Sequence, residues 1–196
     1  WKDKTEEYVY NSGNDMCEIL ALQEFSTLED LKKFPYLREL YLNECIVDDN
    51  TALGELTKLE NLKLDGYSID SLDRLKNLTA LKSLIIQGAE FEDLQALKEL
   101  TNMEELRLPN NDIKNIDALE KMTNLEELIL YGNQIKNISA LSKLCKLRVL
   151  KLEGNLIEDV EPLLNLKNLE KLSLGDNPVK NVQLLENLTG TDIDLE

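Results

Sequence analysis

The amino-acid sequence predicts an α/β solenoid, in which short strands stack into one parallel sheet and short turns cover the opposite side. The first observation is a period, since leucines recur 22 residues apart from Leu125 through Leu147 to Leu169. The second is a pair of leucines two positions apart in each period, the spacing of side chains on one face of a strand. A fixed period of roughly 20 to 50 residues indicates a repeat architecture, so it decides the fold class.

The repeated unit has eight apolar or asparagine positions, and its register holds without an insertion through seven complete units. In the unit that starts at Leu125 they are Leu125, Leu128, Leu130, Asn133, Ile135, Ile138, Leu141 and Leu144. A weaker unit precedes Leu37, and the template aligns its Leu20 with Leu42. After Gly190 the pattern breaks, because the next apolar residues come one position early.

The two ends of the regular 22-residue pattern divide the chain into four predicted parts. We expect a cap with Trp1, Tyr8 and Tyr10 and then a degenerate repeat, the seven full repeats, and an incomplete C-terminal edge. Their ranges are 1–20, 21–36, 37–190 and 191–196. One unit cannot bury its apolar face alone, so stability must come from stacking and the ends need covering.

Within each unit the strand comes first. Its two leucines face the core, and the residues around them face the opposite, concave side of the sheet. Because the strands stack in parallel, the residues between the two leucines form a central row. That row is Tyr41, Lys63, Ile85, Arg107, Ile129, Lys151 and Ser173.

An asparagine follows the strand in the later units, at Asn111, Asn133, Asn155 and Asn177. A buried carboxamide can bond backbone groups of neighbouring turns and so satisfy polar groups that are costly to bury. The first three units carry Cys45, Tyr67 and Ala89 instead. Cysteine also occurs at this position of the repeat, so we interpret Cys45 as structural.

Four residues after the asparagine position, every unit has a small polar residue of the helix N-cap type. Each is expected to start a short helical or 3₁₀ turn on the convex side. These residues are Thr27, Asp49, Ser71, Asp93, Asn115, Asn137, Asp159 and Asn181.

The combined pattern, L-x-x-L-x-L-x-x-N-x-I, resembles the leucine-rich repeat and covers about four-fifths of the chain. The 22-residue unit most resembles the bacterial internalin-type repeats, and it is similar to the regulatory repeat subunits of type-1 protein phosphatase. The resemblance implies a right-handed superhelix with a parallel concave sheet and short 3₁₀, helical or irregular convex segments.

Charge and composition exclude several functions. With 22 Lys and Arg against 38 Asp and Glu, the chain has a net charge of −16 and would be repelled by nucleic acids and anionic lipids. No apolar run approaches the roughly 18 residues of a membrane span, so membrane insertion is not expected. The chain has no histidine and no evident nucleophile–base pair, so we predict neither an enzyme nor a cofactor.

Metal and disulfide sites are not predicted either. Carboxylate runs such as Glu90, Glu92 and Asp93 lack the spacing of known calcium loops and fit a solvated surface. Three cysteines cannot all pair within one chain, and their spacing indicates no disulfide scaffold.

The concave face is the candidate partner-binding site. Exposed apolar groups beside Arg and Tyr are typical of binding hot spots, although strands also favour β-branched residues for their own sake. Cations at Lys63, Arg107 and Lys151 occupy alternate strands, which favours an acidic or mixed-charge partner. The predicted binding residues are Tyr41, Lys63, Ile85, Arg107, Ile129, Tyr131, Val149 and Lys151.

The resemblance implies a non-catalytic protein–protein interaction module in a bacterial secreted or surface protein, and we expect a monomer. The alternative is a cytoplasmic regulatory subunit that docks on an enzyme such as a phosphatase. The concave surface of those subunits is richer in acidic and aromatic residues than the Lys63, Arg107 and Lys151 row, which disfavours this alternative. A third possibility places a catalytic or ligand-binding domain outside these residues.

Overall fold

The computed structural model describes residues 8–11, 17–23, 31, 34–43, 51–65, 69 and 71–196. Its strands form one sheet in which each strand pairs with its neighbours in the chain. The first pair is antiparallel and all later pairs are parallel, which confirms the predicted solenoid. The strands are β1 (Tyr8–Asn11), β2 (Cys17–Gln23), β3 (Glu39–Asn43), β4 (Asn61–Asp65), β5 (Ser83–Ile86), β6 (Glu105–Arg107), β7 (Glu127–Ile129), β8 (Val149–Lys151), β9 (Lys171–Ser173) and β10 (Asp192–Asp194).

A short 3₁₀ helix follows each of the strands β3 to β9 on the opposite side of the solenoid. Leucines on these helices turn inward, as the fully buried Leu141 and Leu163 show. Among the described residues, no helix has the length and the apolar character needed to cross a bilayer. The helices are Thr51–Glu55, Leu72–Leu75, Gln95–Leu97, Asp117–Lys121, Ser139–Lys143, Glu161–Asn165 and Val182–Asn187.

One continuous apolar core extends from Leu31 to Leu188. The leucines at the centres of β6, β7 and β8 have no exposed surface, while the residues on either side of them are half-buried. Burying a leucine contributes about 2 kcal/mol, and the regular period brings these side chains into contact in every layer. The strand leucines therefore belong to the core. The alternate residues of each strand face away from it and are available for function.

The strand register departs from the 22-residue step at both ends. From β3 to β9 the strands pair in steps of 22, as in Tyr41 with Lys63. Leu20 of β2, however, pairs with Leu40, so the prediction that it aligns with Leu42 is wrong. The first step is 20 residues long because the connection before β3 is two residues shorter than in later units. At the other end Ile193 pairs with Leu172, one residue early, as the sequence predicted.

The asparagine ladder is confirmed. Asn133 Nδ2 donates to the carbonyl oxygens of Leu108 (3.1 Å) and Leu130 (2.9 Å), and its Oδ1 accepts from Ile113 N at 3.0 Å. Asn155 repeats this arrangement one unit later. Each buried carboxamide thus joins two successive turns. The substitutions at Cys45 and Tyr67 lie outside the described residues.

A 3₁₀ helix follows each of the six predicted capping residues in the described part of the chain, but in four of these units the N-cap is the residue after the predicted one. Asn137 Oδ1 accepts from Ser139 N at 2.9 Å, and Asp159 Oδ1 accepts from Glu161 N at 2.9 Å, as the corresponding residues of the three preceding units do. Asn181 differs, because its Oδ1 accepts from Val160 N at 3.1 Å and its Nδ2 donates to Asp159. It therefore braces the preceding turn instead of its own. Thr27 and Asp49 lie outside the described residues.

Candidate functional site

The candidate site is the concave face, the side of strands β3 to β9 that bears the half-buried residues between the core leucines. The central row is continuous, because each member from Tyr41 to Ser173 pairs with the next across the sheet. Six of the eight predicted binding residues lie in this row. The other two are Val149, at the start of β8, and Tyr131, just after β7, which places both beside Ile129. All eight are half-buried.

Arg107 is flanked by two carboxylates. Its Nε lies 2.5 Å from Glu105 Oε1 and 2.7 Å from Glu127 Oε1, in ion pairs that are not aligned as hydrogen bonds. Ser83 Oγ donates to the other oxygen of Glu105 at 2.6 Å and fixes its orientation. The central row therefore does not act as a row of three cations. Around Arg107 the face carries net negative charge, and the expectation of an acidic partner loses its main support.

Tyr41 also lies beside negatively charged residues, at the N-terminal end of the concave face. Its hydroxyl donates to Glu39 Oε2 at 2.9 Å. Burial raises the pKa of Tyr41 above its usual value, and the hydrogen bond to Glu39 and the charges of Glu39 and Glu105 raise it further. The phenol is thus a neutral hydrogen-bonding group on a negatively charged surface.

An edge row of charged residues runs beside the concave face, one position before each strand. Its members are Arg38, Glu60, Lys82, Glu104, Glu126, Arg148 and Glu170. Glu60 pairs with Arg38 Nη1 at 2.5 Å and with Lys82 Nζ at 2.7 Å. The hydrogen bond from Lys82 is the main cause that lowers the pKa of Glu60, and the positive charges of Lys82 and Arg38 contribute.

The alternation of charge in the edge row fails at Glu104 and Glu126, which follow each other on adjacent units. An open depression of about 260 Å³ lies at this point. It is lined by Glu104, Glu105, Glu126, Glu127, Arg148 and Val149. Glu104 and Glu126 are absent from the predicted binding residues, because the prediction covered only positions within each strand and just after it. These two residues come before their strands.

A second asparagine ladder was also missed. Asn102 Nδ2 donates to Thr79 O at 2.9 Å, and Asn168 Nδ2 donates to Cys145 O at 2.7 Å. Asn124 makes the equivalent bond to Thr101 O at 3.3 Å. The sequence signal is an asparagine just before the first leucine of a unit. These residues hold the turns together and take no part in the concave face.

Comparison with known proteins agrees with this architecture. A family model described as leucine-rich repeats in two copies matches residues 101–143, 123–165 and 145–190. The structure of internalin C2 from Listeria monocytogenes superposes with a TM-score of 0.88 at 31% sequence identity, over 92% of this chain and 81% of internalin C2. The chain belongs to the leucine-rich repeat family. The predicted resemblance to internalin-type repeats is thereby confirmed.

Two further structures extend the comparison. Internalin F from Listeria monocytogenes is 27% identical over 88% of this chain and 58% of its own, with a TM-score of 0.78. A leucine-rich repeat protein of Leptospira interrogans is 24% identical over 91% of this chain and 49% of its own, with a TM-score of 0.83, and shares the fold. No curated protein matches the chain. The leucine-rich repeat fold commonly serves as a protein–protein interaction module, because its stacked strands form an extended concave surface.

Proposed function

We propose that this leucine-rich repeat chain is a non-catalytic module that binds a protein partner on its concave face. The observation that carries the proposal is the grouping of Ile129, Tyr131 and Val149 on β7 and β8. These side chains remain half-buried while the leucines on the same strands have no exposed surface. Apolar and aromatic groups surrounded by charged ones are the usual composition of a binding hot spot.

The rigidity of the face supports the same proposal. The buried asparagines fix the turns that follow β6 to β9, and the ion pairs of Arg107 hold neighbouring strand side chains in place. A surface ordered before binding loses little conformational entropy on association.

We further propose that the chain acts as a monomer in a bacterial secreted or surface protein. The support is its likeness to internalin C2 and internalin F. A partner would then be a protein met outside the cytoplasm. A search for partners in a library of secreted and surface proteins, run beside one in a cytosolic extract, separates this setting from the cytoplasmic alternative.

The test of the concave face is a double substitution, Ile129→Ala with Tyr131→Ala. We expect affinity for each selected partner, measured by biolayer interferometry, to fall more than about tenfold, since a few apolar and aromatic side chains dominate binding energies. The matched control is Lys136→Ala with Leu156→Ala, two exposed residues outside the strands, and it should leave affinity within about twofold. Equal losses for the two variants, at similar unfolding midpoints, would rule out the concave assignment.

A further inference from the structure

Two successive members of the edge row, Glu104 and Glu126, are both negative, and we call this interruption of the charge alternation the gap. On one side of the gap, Lys82 leans toward Glu60 and pairs with it at 2.7 Å. On the other side, Arg148 binds Glu170 through two contacts, at 2.8 and 3.1 Å, and reaches Glu126 only at 3.9 Å. Both flanking cations are therefore engaged away from the gap.

Between them, the carboxylates of two adjacent units come together. Glu104 and Glu105 precede and start β6, and Glu126 and Glu127 do the same on β7. Adjacent strands of a sheet lie roughly 5 Å apart, so four negative charges share a small area. Arg107 is the only cation of the described residues on β6 and β7, and it pairs with the two inner carboxylates.

The surface beside these carboxylates is apolar. Val149 lines the same depression, Ile129 ends β7, and Tyr131 comes just after that strand. The depression holds about 260 Å³, room for roughly eight waters or for one long side chain. A side chain that combines an aliphatic stem with a terminal cation matches this combination of apolar and acidic lining.

We propose that this part of the concave face binds an extended segment of the protein partner that places an arginine or lysine between the Glu104/Glu105 and Glu126/Glu127 pairs. The stem of that residue lies on Val149, and an apolar neighbour in the segment covers Ile129 and Tyr131. The proposal rests on the proposed concave-face function and adds the chemistry of the partner. Of the acidic or mixed-charge partner that the sequence suggested, it keeps only a partner that presents a positive charge here.

Charge complementarity decides in favour of this occupant. An acidic segment would add a negative charge beside four carboxylates, which outnumber the two guanidinium groups of Arg107 and Arg148. The carboxylates do not converge as metal ligands do, since no group of three or more in the described residues is placed to hold an ion. A partner cation instead relieves the repulsion between Glu104 and Glu126, which makes the contact selective for sign as well as for shape.

The test uses two tripeptide probes of the same shape, acetyl-Leu-Arg-Leu-amide and its citrulline analogue, which lacks the charge. Each is titrated into the ¹⁵N-labelled chain and followed by two-dimensional NMR. We expect the arginine peptide to shift the amides of residues 104–107 and 126–131 with a dissociation constant near the millimolar range, and the citrulline peptide to bind about tenfold more weakly. Equal binding of the two peptides, or no localised shifts with the arginine peptide, overturns the proposal.

The matched variants are Glu104→Gln with Glu126→Gln, and Glu99→Gln with Glu186→Gln. Both remove two negative charges from exposed positions, but the second pair lies outside the concave face. The first should weaken the arginine peptide about tenfold and the second less than about twofold. Equal weakening by the two variants would reduce the effect to net charge and overturn the proposal.

The inference and the proposed function fail separately. If acetyl-Leu-Glu-Leu-amide binds the concave face better than the arginine peptide does, the face still binds proteins but the assigned charge is wrong. If the Ile129→Ala, Tyr131→Ala variant keeps full affinity for its partners, the proposed function fails whatever the peptides show.

Discussion

Asn133 shows how one side chain joins neighbouring units of the solenoid. Its carboxamide satisfies the carbonyl groups of Leu108 and Leu130 and the amide of Ile113, all within the buried interior. Apolar side chains fix the spacing of the layers, but a buried backbone group without a partner costs about 1–3 kcal/mol. The ladder therefore stabilises the units that carry it.

Replacing Asn133 with alanine should lower the free energy of unfolding by about 2–4 kcal/mol, because several buried backbone groups lose their partner. Urea denaturation measures the change. The control is Asn124→Ala, which removes two exposed hydrogen bonds, one to Thr101 O and one from Lys146, and should cost less than about 1 kcal/mol. Similar losses for both variants would contradict the buried ladder.

In the described residues, the turn after each of the strands β5 to β9 has a residue with positive φ at the same repeat position. Gly132 and Gly154 occupy this position with φ of 68° and 63°, a region that other residues enter only with strain. A Cβ on Gly132 would stand 2.3 Å from Asn110 Oδ1, whereas a Cβ on Gly154 would meet nothing closer than 3.6 Å.

Gly154→Ala should therefore cost about 1 kcal/mol from backbone strain alone. Gly132→Ala should cost more, about 2 kcal/mol, because the side chain of Asn110 must also move. Adding Asn110→Gly to Gly132→Ala should bring the loss back to that of Gly154→Ala, as measured by urea denaturation. If the two single alanine variants are equally stable, the close contact is irrelevant.

At the scale of the element, a charged residue comes just before each of the strands β3 to β9, and ion pairs among these residues link neighbouring units. Glu60 lies between Arg38 and Lys82, and the hydrogen bond from Lys82 is the main cause of its lowered pKa. A lowered pKa means that the folded state favours the carboxylate. These ion pairs thus stabilise the fold above the unfolded-state pKa of about 4.3, and the contribution is lost as the pH falls through the lower folded-state pKa.

A ¹³C NMR titration of the Glu60 carboxyl group should give a pKa below the ordinary glutamate range. Lys82→Met should raise it most of the way back, and Arg38→Met should raise it less, because Lys82 supplies the larger effect. The account of the edge row is wrong if Arg38→Met has the greater effect or if neither substitution moves the pKa.

At the scale of the molecule, the regular part of the fold was predictable and its exceptions were not. The 22-residue period specifies the strands, the core and the asparagine ladder, because each unit meets only its neighbours. The 20-residue step before β3 was missed, since the template placed Leu20 against Leu42 where the structure pairs it with Leu40. The ion pairs of Arg107 were not predicted, because side-chain pairing depends on rotamers, which the repeat period does not specify.

The same independence of units predicts the effect of removing one of them. Deleting residues 126–147 joins Leu125 to Arg148, an equivalent position one period on. We expect cooperative unfolding, with a denaturant m-value lowered in proportion to the lost buried surface. Deleting residues 126–146 shifts the next strand by one position and turns its leucines outward, so that chain should lose cooperative unfolding in urea. A cooperative transition in both chains would contradict the register.

The central claim is that the molecule binds its protein partner on the concave face. Hydroxyl-radical footprinting of the complex, read by mass spectrometry, tests it with tyrosines of this chain. Tyr131 lies in the face, and Tyr36, 56% exposed, lies in the turn before β3 and serves as the control. We predict that a bound partner lowers the oxidation of Tyr131 and leaves that of Tyr36 unchanged. Protection of Tyr36 with full oxidation of Tyr131 would contradict the account.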